Sequence, residues 1–309
     1  MSEIWQPSRG VQIIAGTPPG GGLDRVARAL VKAIDAAHLV DVPLEVVNVA
    51  GGGARKAWTQ VIDKNAGDAH VVAISSPNLT TDYLVGAADF EHSRYTPIAT
   101  LVTEYIAFAV RADSNLQSGV DLLARLKQDA GGVTVALSTA LGNPNHIALA
   151  KLVEQVGGNV NAPAIRVFDS ALDCVADVMA GKAHVCAVTA ASVLKEFSAG
   201  RLRVLAVSAP ARLAAPFADV PIWSEQGADC VIGAWRGVSG PSGLSPGQVA
   251  FWEDVVATAT RQPCWAEDLA RLSWSPLVLT GAPLRAYLAN ERAEFVAVLG
   301  ELGLLKVAA

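Results

Sequence analysis

Residues 17–28 read TPPGGGLDRVAR, and this stretch decides the fold. The residues before it, 11–15 with sequence VQIIA, are apolar and rich in β-branched side chains, which predicts a buried strand. Beyond the glycines, apolar residues recur at helical spacing, at Leu23, Val26, Ala27, Leu30 and Ile34. The unit is therefore a strand, a glycine-rich turn and a helix.

The three glycines Gly20, Gly21 and Gly22 directly precede this helix. The N–H groups of a first helical turn have no intrahelical acceptors, and the helix dipole favours an anion there. No Lys-Ser or Lys-Thr follows the glycines, and their spacing does not fit a dinucleotide fingerprint. Two interpretations are open: an anion site, or a turn in which glycine serves the backbone geometry alone.

Length and composition limit the classes of protein. A chain of 309 residues fits two domains. With 51% hydrophobic and 17% charged residues it is globular rather than disordered. A net charge of −5 without a Lys/Arg run argues against nucleic acid as a partner. An anion site in this chain must therefore be built locally.

The four cysteines, Cys174, Cys186, Cys230 and Cys264, show no metal-ligand spacing. We interpret them as small apolar side chains, with one disulfide open in an oxidising compartment. We expect neither a metal nor another cofactor.

The start of the chain bears on its compartment. Residues 1–5 carry an acid where a signal peptide has a basic segment, and no stretch is apolar enough to span a membrane. The protein is cytoplasmic if Met1 is the native start, and periplasmic if a leader was removed ahead of it.

Strands and helices alternate along the chain, which predicts an α/β fold with a parallel sheet and a ligand crevice at the carboxyl ends of its strands. Strands are predicted at 11–15, 43–49, 70–75, 96–103, 106–111, 133–137, 165–168, 184–188 and 203–208. Helices are predicted from Leu23, through Val61 and Ile62, and at 121–127, 144–156, 171–180, 191–199, 246–260 and 283–299.

The opening turn has counterparts later in the chain. Asn143 followed by Pro144 is a good helix start, and Ser170 with Asp173 forms a capping-box pattern. If such turns converge, their amides and hydroxyls form a site suited to a carboxylate.

Taken together, these residues resemble a known family along nearly the whole chain. The resemblance is carried by Pro19-Gly20-Gly21 with Asp24 and Ala27-Arg28, Asn48, Thr96-Pro97-Ile98-Ala99, the loop 138–146 ending in His146, Ala180-Gly181-Lys182, Leu205-Ala206-Val207-Ser208, Asp219-Val220-Pro221, and Trp235-Arg236-Gly237 before Gly240-Pro241-Ser242-Gly243. The chain resembles the extracytoplasmic solute receptors of the tripartite tricarboxylate transporter family, also called Bug receptors.

The resemblance implies a type II periplasmic-binding-protein fold, with two α/β domains and a ligand cleft between them. We place one domain at 1–105 and 230–309 and the other at 106–229. The implied function is capture of a small organic acid and its delivery to a membrane permease; we expect a monomer. The implied ligand-binding residues are Thr17, Pro19, Gly20, Gly21, Gly22, Asp24, Ser75, Ser76, Ser138, Thr139, Gly142, Asn143, His146, Phe168, Asp169, Ser170 and Trp235.

The chain departs from the family pattern at Phe168-Asp169-Ser170, where the family usually has Tyr-Lys-Gly. If Asp169 faces the ligand, it repels a second carboxylate and favours an ammonium or hydroxyl donor. Alternatively, Asp169 points to solvent beside the helix start. The glycines that begin at Gly51 also lack the family's proline.

A second hypothesis is a cytoplasmic enzyme, such as an organic-acid isomerase or lyase, or a ligand sensor on the same fold. Asp169 or His146 would then transfer the proton. No G-x-S-x-G or H-E-x-x-H motif supports catalysis, and His146 equally fits a packing or capping role. Trp235 and Arg236 fit an aromatic wall with a carboxylate clamp, or a buried filler beside a surface arginine.

Overall fold

The computed structural model describes residues 5–90 and 94–307. The chain folds into two compact units. Unit 1 contains the chain up to Thr103 together with Trp235–Val296, and unit 2 contains Glu104–Ala234 with the segment that begins at Ala297. Each unit combines a sheet with helices, so the α/β class is confirmed.

Ten strands lie in the described residues: β1 (Val11–Ala15), β2 (Leu44–Asn48), β3 (Val71–Ser75), β4 (Tyr95–Arg111), β5 (Thr134–Ser138), β6 (Ala164–Phe168), β7 (Val185–Thr189), β8 (Leu202–Val207), β9 (Gly233–Pro241) and β10 (Ser275–Thr280). The α-helices of the same residues are α1 (Gly22–Ala36), α2 (Arg55–Lys64), α3 (Asn78–Leu84), α4 (Gly119–Asp129), α5 (Pro144–Gln155), α6 (Ala171–Met179), α7 (Ala190–Ser198), α8 (Pro246–Ala259), α9 (Pro263–Leu272) and α10 (Gly281–Glu301).

In unit 1 the strand order is β2-β1-β3-β9-β4, and β10 pairs with β4. β1 is parallel to both β2 and β3, with Ala15 opposite Asn48 and Ile14 opposite Ala73. The carboxyl ends of these three strands therefore meet at one edge. α1 begins at that edge and buries its apolar stripe, including Val26, which is fully buried.

In unit 2 the order is β8-β4-β7-β5-β6. β5 is parallel to β6 and β7, and Ser138 lies opposite Phe168 in the register. The segments that follow β5 and β6 therefore begin side by side at one edge of this sheet.

The structure differs from the sequence-based prediction in several elements. β4 is one continuous strand that runs through Glu104 and Tyr105, the two residues between the two predicted strands. Glu104 interrupts the apolar pattern of the sequence, yet it is only 1% exposed. α3, α9, β9 and β10 were not predicted, since they are short or lie in stretches punctuated by proline and glycine. Within the described ranges, no helix is both long and apolar enough to cross a bilayer.

Candidate functional site

The glycine loop (residues 17–24) is organised by one buried carboxylate. Asp24 is 2% exposed and accepts hydrogen bonds from the Gly20 amide at 2.7 Å and from Asn48 Nδ2 at 2.9 Å. Arg28 Nε lies 3.0 Å from both carboxylate oxygens. The Asp24 side chain thus ties the loop, the end of β2 and the second turn of α1 together.

Burial acts to raise the pKa of Asp24, but the hydrogen bonds from Arg28, Gly20 and Asn48 outweigh it and lower that pKa below its ordinary value. Two further bonds complete the loop: the Asp24 amide donates to Thr17 Oγ1 at 3.2 Å, and Asn48 Nδ2 donates to the Thr17 carbonyl at 2.9 Å. The loop is therefore hydrogen-bonded to other protein groups at Thr17, Gly20 and Asp24.

The loop presents two backbone donors at the start of α1, the amides of Gly22 and Leu23, after two amides that already have acceptors. The Gly20 amide donates to Asp24 and the Gly21 amide to the Pro18 carbonyl. Among the described residues, no protein acceptor takes the amide hydrogens of Gly22 and Leu23. Adjacent N–H groups at the positive end of a helix are a ready site for a carboxylate.

Ser75 and Ser76 follow β3 at the same edge of unit 1. Ser75 is 1% exposed and accepts a hydrogen bond from Ser239 Oγ of β9 at 3.0 Å. The Ser76 carbonyl accepts from the Leu79 amide in the turn that begins α3. Both serines are therefore buried parts of the strand-to-helix connection.

In unit 2, the segment after β5 is fixed by asparagine side chains. Asn143 caps α5 by accepting from the His146 amide, and its Nδ2 donates to the Ser138 carbonyl at 2.6 Å and to Thr139 Oγ1 at 2.8 Å. Asn145 Nδ2 donates to Ser138 Oγ at 2.9 Å. The predicted N-cap at Asn143 and the first-turn Pro144 are confirmed.

His146 lies inside this cap. Its Nδ1 accepts a hydrogen bond from the Gly142 amide at 2.9 Å, and the ring is 3% exposed. Burial lowers the pKa of His146 to about 4. A neutral imidazole whose Nδ1 is occupied is suited to capping, and its environment provides little basicity for proton transfer.

The third predicted loop follows β6. The Phe168 carbonyl accepts from the Thr139 amide at 2.6 Å, which joins the two loops of unit 2. Ser170 caps α6, its Oγ accepting from the Asp173 amide at 3.2 Å. Asp169 is exposed, and no described residue forms an ion pair with it.

Trp235 lies in β9 and is 4% exposed. Its Nε1 donates to Glu291 Oε2 of α10 at 2.7 Å. Burial raises the pKa of Glu291 to about 8, and the nearby Glu294 adds to the shift. The indole is thus held by a carboxyl group that is mostly protonated at pH 7.

In each unit the predicted loops lie at one edge of the sheet, because the parallel strands that precede them end there. Trp235 lies at the same edge of unit 1, because β9 runs antiparallel to β3 and pairs Gly237 with Ser75. No site role was predicted for Arg28, Asn48, Asn145 or Glu291, although all four position predicted residues. Asn48 and Arg28 carried a signal, since both stood in the family pattern. No group of three or more potential metal ligands occurs in the part of the chain that the structure describes.

This α/β architecture, with glycine and asparagine loops at helix starts, defines a solute receptor of the periplasmic-binding-protein type. Residues 26–304 match the family model for the tripartite tricarboxylate transporter family receptor, TctC. The chain belongs to this family, and the resemblance inferred from sequence is confirmed.

Individual relatives agree with this assignment. Protein BugT of Bordetella pertussis is 25% identical over 304 residues, covering 96% of this chain and 90% of BugT. Rpa4515 of R. palustris, solved with adipate, is 20% identical, with a TM-score of 0.86 over 97% of this chain and 99% of that one. MatC of Rhodopseudomonas palustris, solved with bound malate, is 19% identical, with a TM-score of 0.80 over 95% and 99%. The last two similarities establish the fold.

Proposed function

We propose that this receptor captures a small organic dicarboxylate and binds one carboxylate through the glycine loop. The observation that carries the proposal is the pair of amides at Gly22 and Leu23, which have no protein acceptor among the described residues. The structures of Rpa4515 and MatC were solved with adipate and malate, both dicarboxylates. A ligand of this class supplies the oxygen acceptors that the two amides lack.

Asp24 has a positioning role in this proposal. Its carboxylate oxygens are already used by Gly20, Asn48 and Arg28, and it therefore shapes the loop without meeting the ligand's negative charge. Thr17 has the same role, because its hydroxyl accepts from the Asp24 amide. The amides of α1 then act as preorganised donors, which reduces the entropic cost of ordering the loop around a ligand.

The loops of unit 2 offer donors of the same kind. Residues 138–143 lie at the start of α5, and residues 168–170 at the start of α6. We assign ligand contacts to Ser138 and Thr139, and cap formation to Asn143, His146 and Ser170. The Ser170 hydroxyl already donates to Asp173 Oδ2 at 2.7 Å. An exposed Asp169 adds negative charge to this surface, so we expect a dicarboxylate with a hydroxyl group to bind better than an acid with a third carboxylate.

The variant Gly22→Pro tests the role of the amide directly. Gly22 is the first residue of α1, where proline fits, and Gly21 has φ −69° and ψ 168°, which a residue before proline adopts readily. Proline removes the N–H and preserves the helix start. Loss of one hydrogen bond to a charged group is expected to weaken binding at least about 10-fold.

The measurement is isothermal titration calorimetry with adipate and with malate. Gly22→Ala is the matched control, because it adds a side chain at the same position and retains the amide. The proposal requires wild-type and Gly22→Ala protein to bind one of the two acids, and Gly22→Pro to bind it more weakly at an unchanged melting temperature. Equal affinity of Gly22→Pro and Gly22→Ala would contradict it, as would failure of the wild type to bind either acid.

We further propose that the protein works in the periplasm and delivers its ligand to the permease subunits of a tripartite transporter. Membership of the receptor family supports this assignment. Fractionation of cells that express the native gene tests the location. Recovery of the protein in the cytoplasmic fraction alone would contradict the periplasmic assignment and favour a sensor or an enzyme.

A further inference from the structure

An open groove of about 500 Å³ lies on unit 1 between α1 and α9. Four cationic side chains line it: Arg25, Arg28 and Lys32 from α1, and Arg271 from α9. The three cations of α1 are spaced i, i+3 and i+7, which places them along one side of the helix over roughly 10 Å. The groove is therefore lined along α1 by a row of positively charged side chains.

The carboxylates in the groove lie below its surface. Asp24 and Asp268 are 2% and 4% exposed, whereas the side chains of Arg28, Lys32 and Arg271 are 56%, 51% and 65% exposed. Four cations face two carboxylates, which leaves a local excess of two positive charges. The whole chain carries a net charge of −5. This charge therefore belongs to the groove and not to the protein surface in general.

The groove also contacts the glycine loop from outside. Arg25 Nη1 donates to the Gly20 carbonyl at 3.2 Å, and Arg28 Nε donates to the Asp24 carboxylate that holds the Gly20 amide. An anion in the groove competes with these two loop acceptors for the same guanidinium groups. Occupancy of the groove and order of the loop are thus linked, and such linkage is reciprocal.

We propose that this groove binds an acidic segment of a protein partner, and that its binding loosens the glycine loop. Carboxylates at helical spacing match the row of cations along α1. A membrane surface fits less well, because none of the exposed large apolar side chains among the described residues lies on α1 or α9. If the proposed function holds, the partner that binds this groove is the permease, because loosening the glycine loop releases the ligand.

The test uses the purified full chain and a fluorescein-labelled peptide of eight glutamates, followed by fluorescence anisotropy at 25 mM NaCl. The variant Lys32→Glu reverses one groove charge. It also breaks the 3.2 Å ion pair between Lys32 Nζ and Asp268 Oδ2, and that carboxylate keeps Arg271 as its partner. It is expected to weaken peptide binding roughly 3- to 10-fold. Lys127→Glu on α4 of unit 2 is the matched control, since Lys127 is also an exposed helical lysine. We expect it to change peptide binding less than about twofold. If Lys32→Glu fails to fold, Lys32→Gln replaces it.

Hydrogen exchange followed by mass spectrometry tests the link to the loop. The peptide is expected to raise amide exchange at Gly20 and Gly21 of the wild type, whose amides donate to Asp24 and to the Pro18 carbonyl. The variant Arg25→Gln is expected to reduce this response. Equal peptide binding by Lys32→Glu and Lys127→Glu would overturn the inference. So would no binding by the wild type, an unchanged loop, or binding to phosphatidylglycerol vesicles without binding to the peptide. The Gly22→Pro variant separates this proposal from the previous one, because it is expected to lose dicarboxylate affinity and to retain peptide binding.

Discussion

Glu291 provides a pH-dependent contribution to stability that can be worked out from the structure. Its carboxyl group accepts a hydrogen bond from Trp235 Nε1 at 2.7 Å, and burial raises its pKa to about 8. Glu294 lies close enough to add to this shift. Tyr95 is also a neighbour of Glu291. Burial raises the pKa of the Tyr95 phenol, and the charge of Glu291 adds to this shift.

A carboxyl group whose pKa is raised by folding stabilises the protein at low pH, and this contribution is lost as the pH rises towards the folded value. In the unfolded protein the carboxyl group of Glu291 has a pKa of about 4.5, whereas in the folded protein its pKa is about 8. The folded protein therefore retains this proton over a pH range in which the unfolded protein has lost it. Each pH unit in between costs about 1.4 kcal/mol of unfolding free energy. From pH 6.5 to pH 8 the loss is about 2 kcal/mol, and about 1 to 1.5 kcal/mol after allowance for partial solvent screening of this half-buried group.

The assay is urea unfolding, followed by tryptophan fluorescence, of wild-type and Glu291→Gln protein at pH 6.5 and pH 8. Glutamine retains an oxygen for Trp235 and removes the titration. We expect the free energy of unfolding of the wild type to fall by about 1 to 1.5 kcal/mol over this interval, and that of Glu291→Gln to fall much less. The interval lies above the pKa of about 6 of Asp82 and of about 4 of His146, so neither group contributes strongly.

Glu267→Gln is the control, because Glu267 is an exposed carboxyl on α9. It is expected to keep the wild-type pH dependence. The reasoning would be refuted if Glu291→Gln and the wild type lost the same free energy between the two pH values, or if Glu267→Gln flattened the curve equally.

Three further perturbations test the groups around the predicted loops. Asp24→Asn is expected to lower the free energy of unfolding at pH 7 by about 2–3 kcal/mol, because the buried carboxylate accepts hydrogen bonds from Gly20, Asn48 and Arg28; chemical denaturation measures it, and an unchanged stability would contradict the role of Asp24. Arg55→Met leaves the 3% exposed Asp82 carboxylate without its ion pair. The free energy of unfolding is therefore expected to fall by about 3 kcal/mol at pH 8, and by less at pH 5, where Asp82 takes up a proton. Denaturation at both pH values checks this, and equal losses would count against it. The His146 ring is expected to show constant NMR shifts from pH 5.5 to pH 8, and a titration near pH 6.5 would show that it is not buried as described.

Much of the fold was readable from local sequence. β1, the glycine turn and α1 were predicted because their apolar period changes from a strand to a helix at three glycines. The N-caps Asn143 and Ser170 were also predicted from local sequence, because the side chain of a cap bonds to an amide only three positions away. The family assignment also came from sequence, because it depends on the order of short motifs along the chain.

The remaining features depend on contacts between distant parts of the chain. Asp24 stood in the sequence as a ligand contact, whereas the structure joins it to Asn48 of β2, a residue that strand pairing brings beside the loop. Trp235 and Glu291 are 56 positions apart and meet because the segment Trp235–Val296 folds as part of unit 1. Local sequence thus determined where strands and helices begin and where a free amide can arise. Tertiary structure alone decided which carboxylates are paired and buried, because desolvation and ion pairing depend on neighbours that the linear order does not specify.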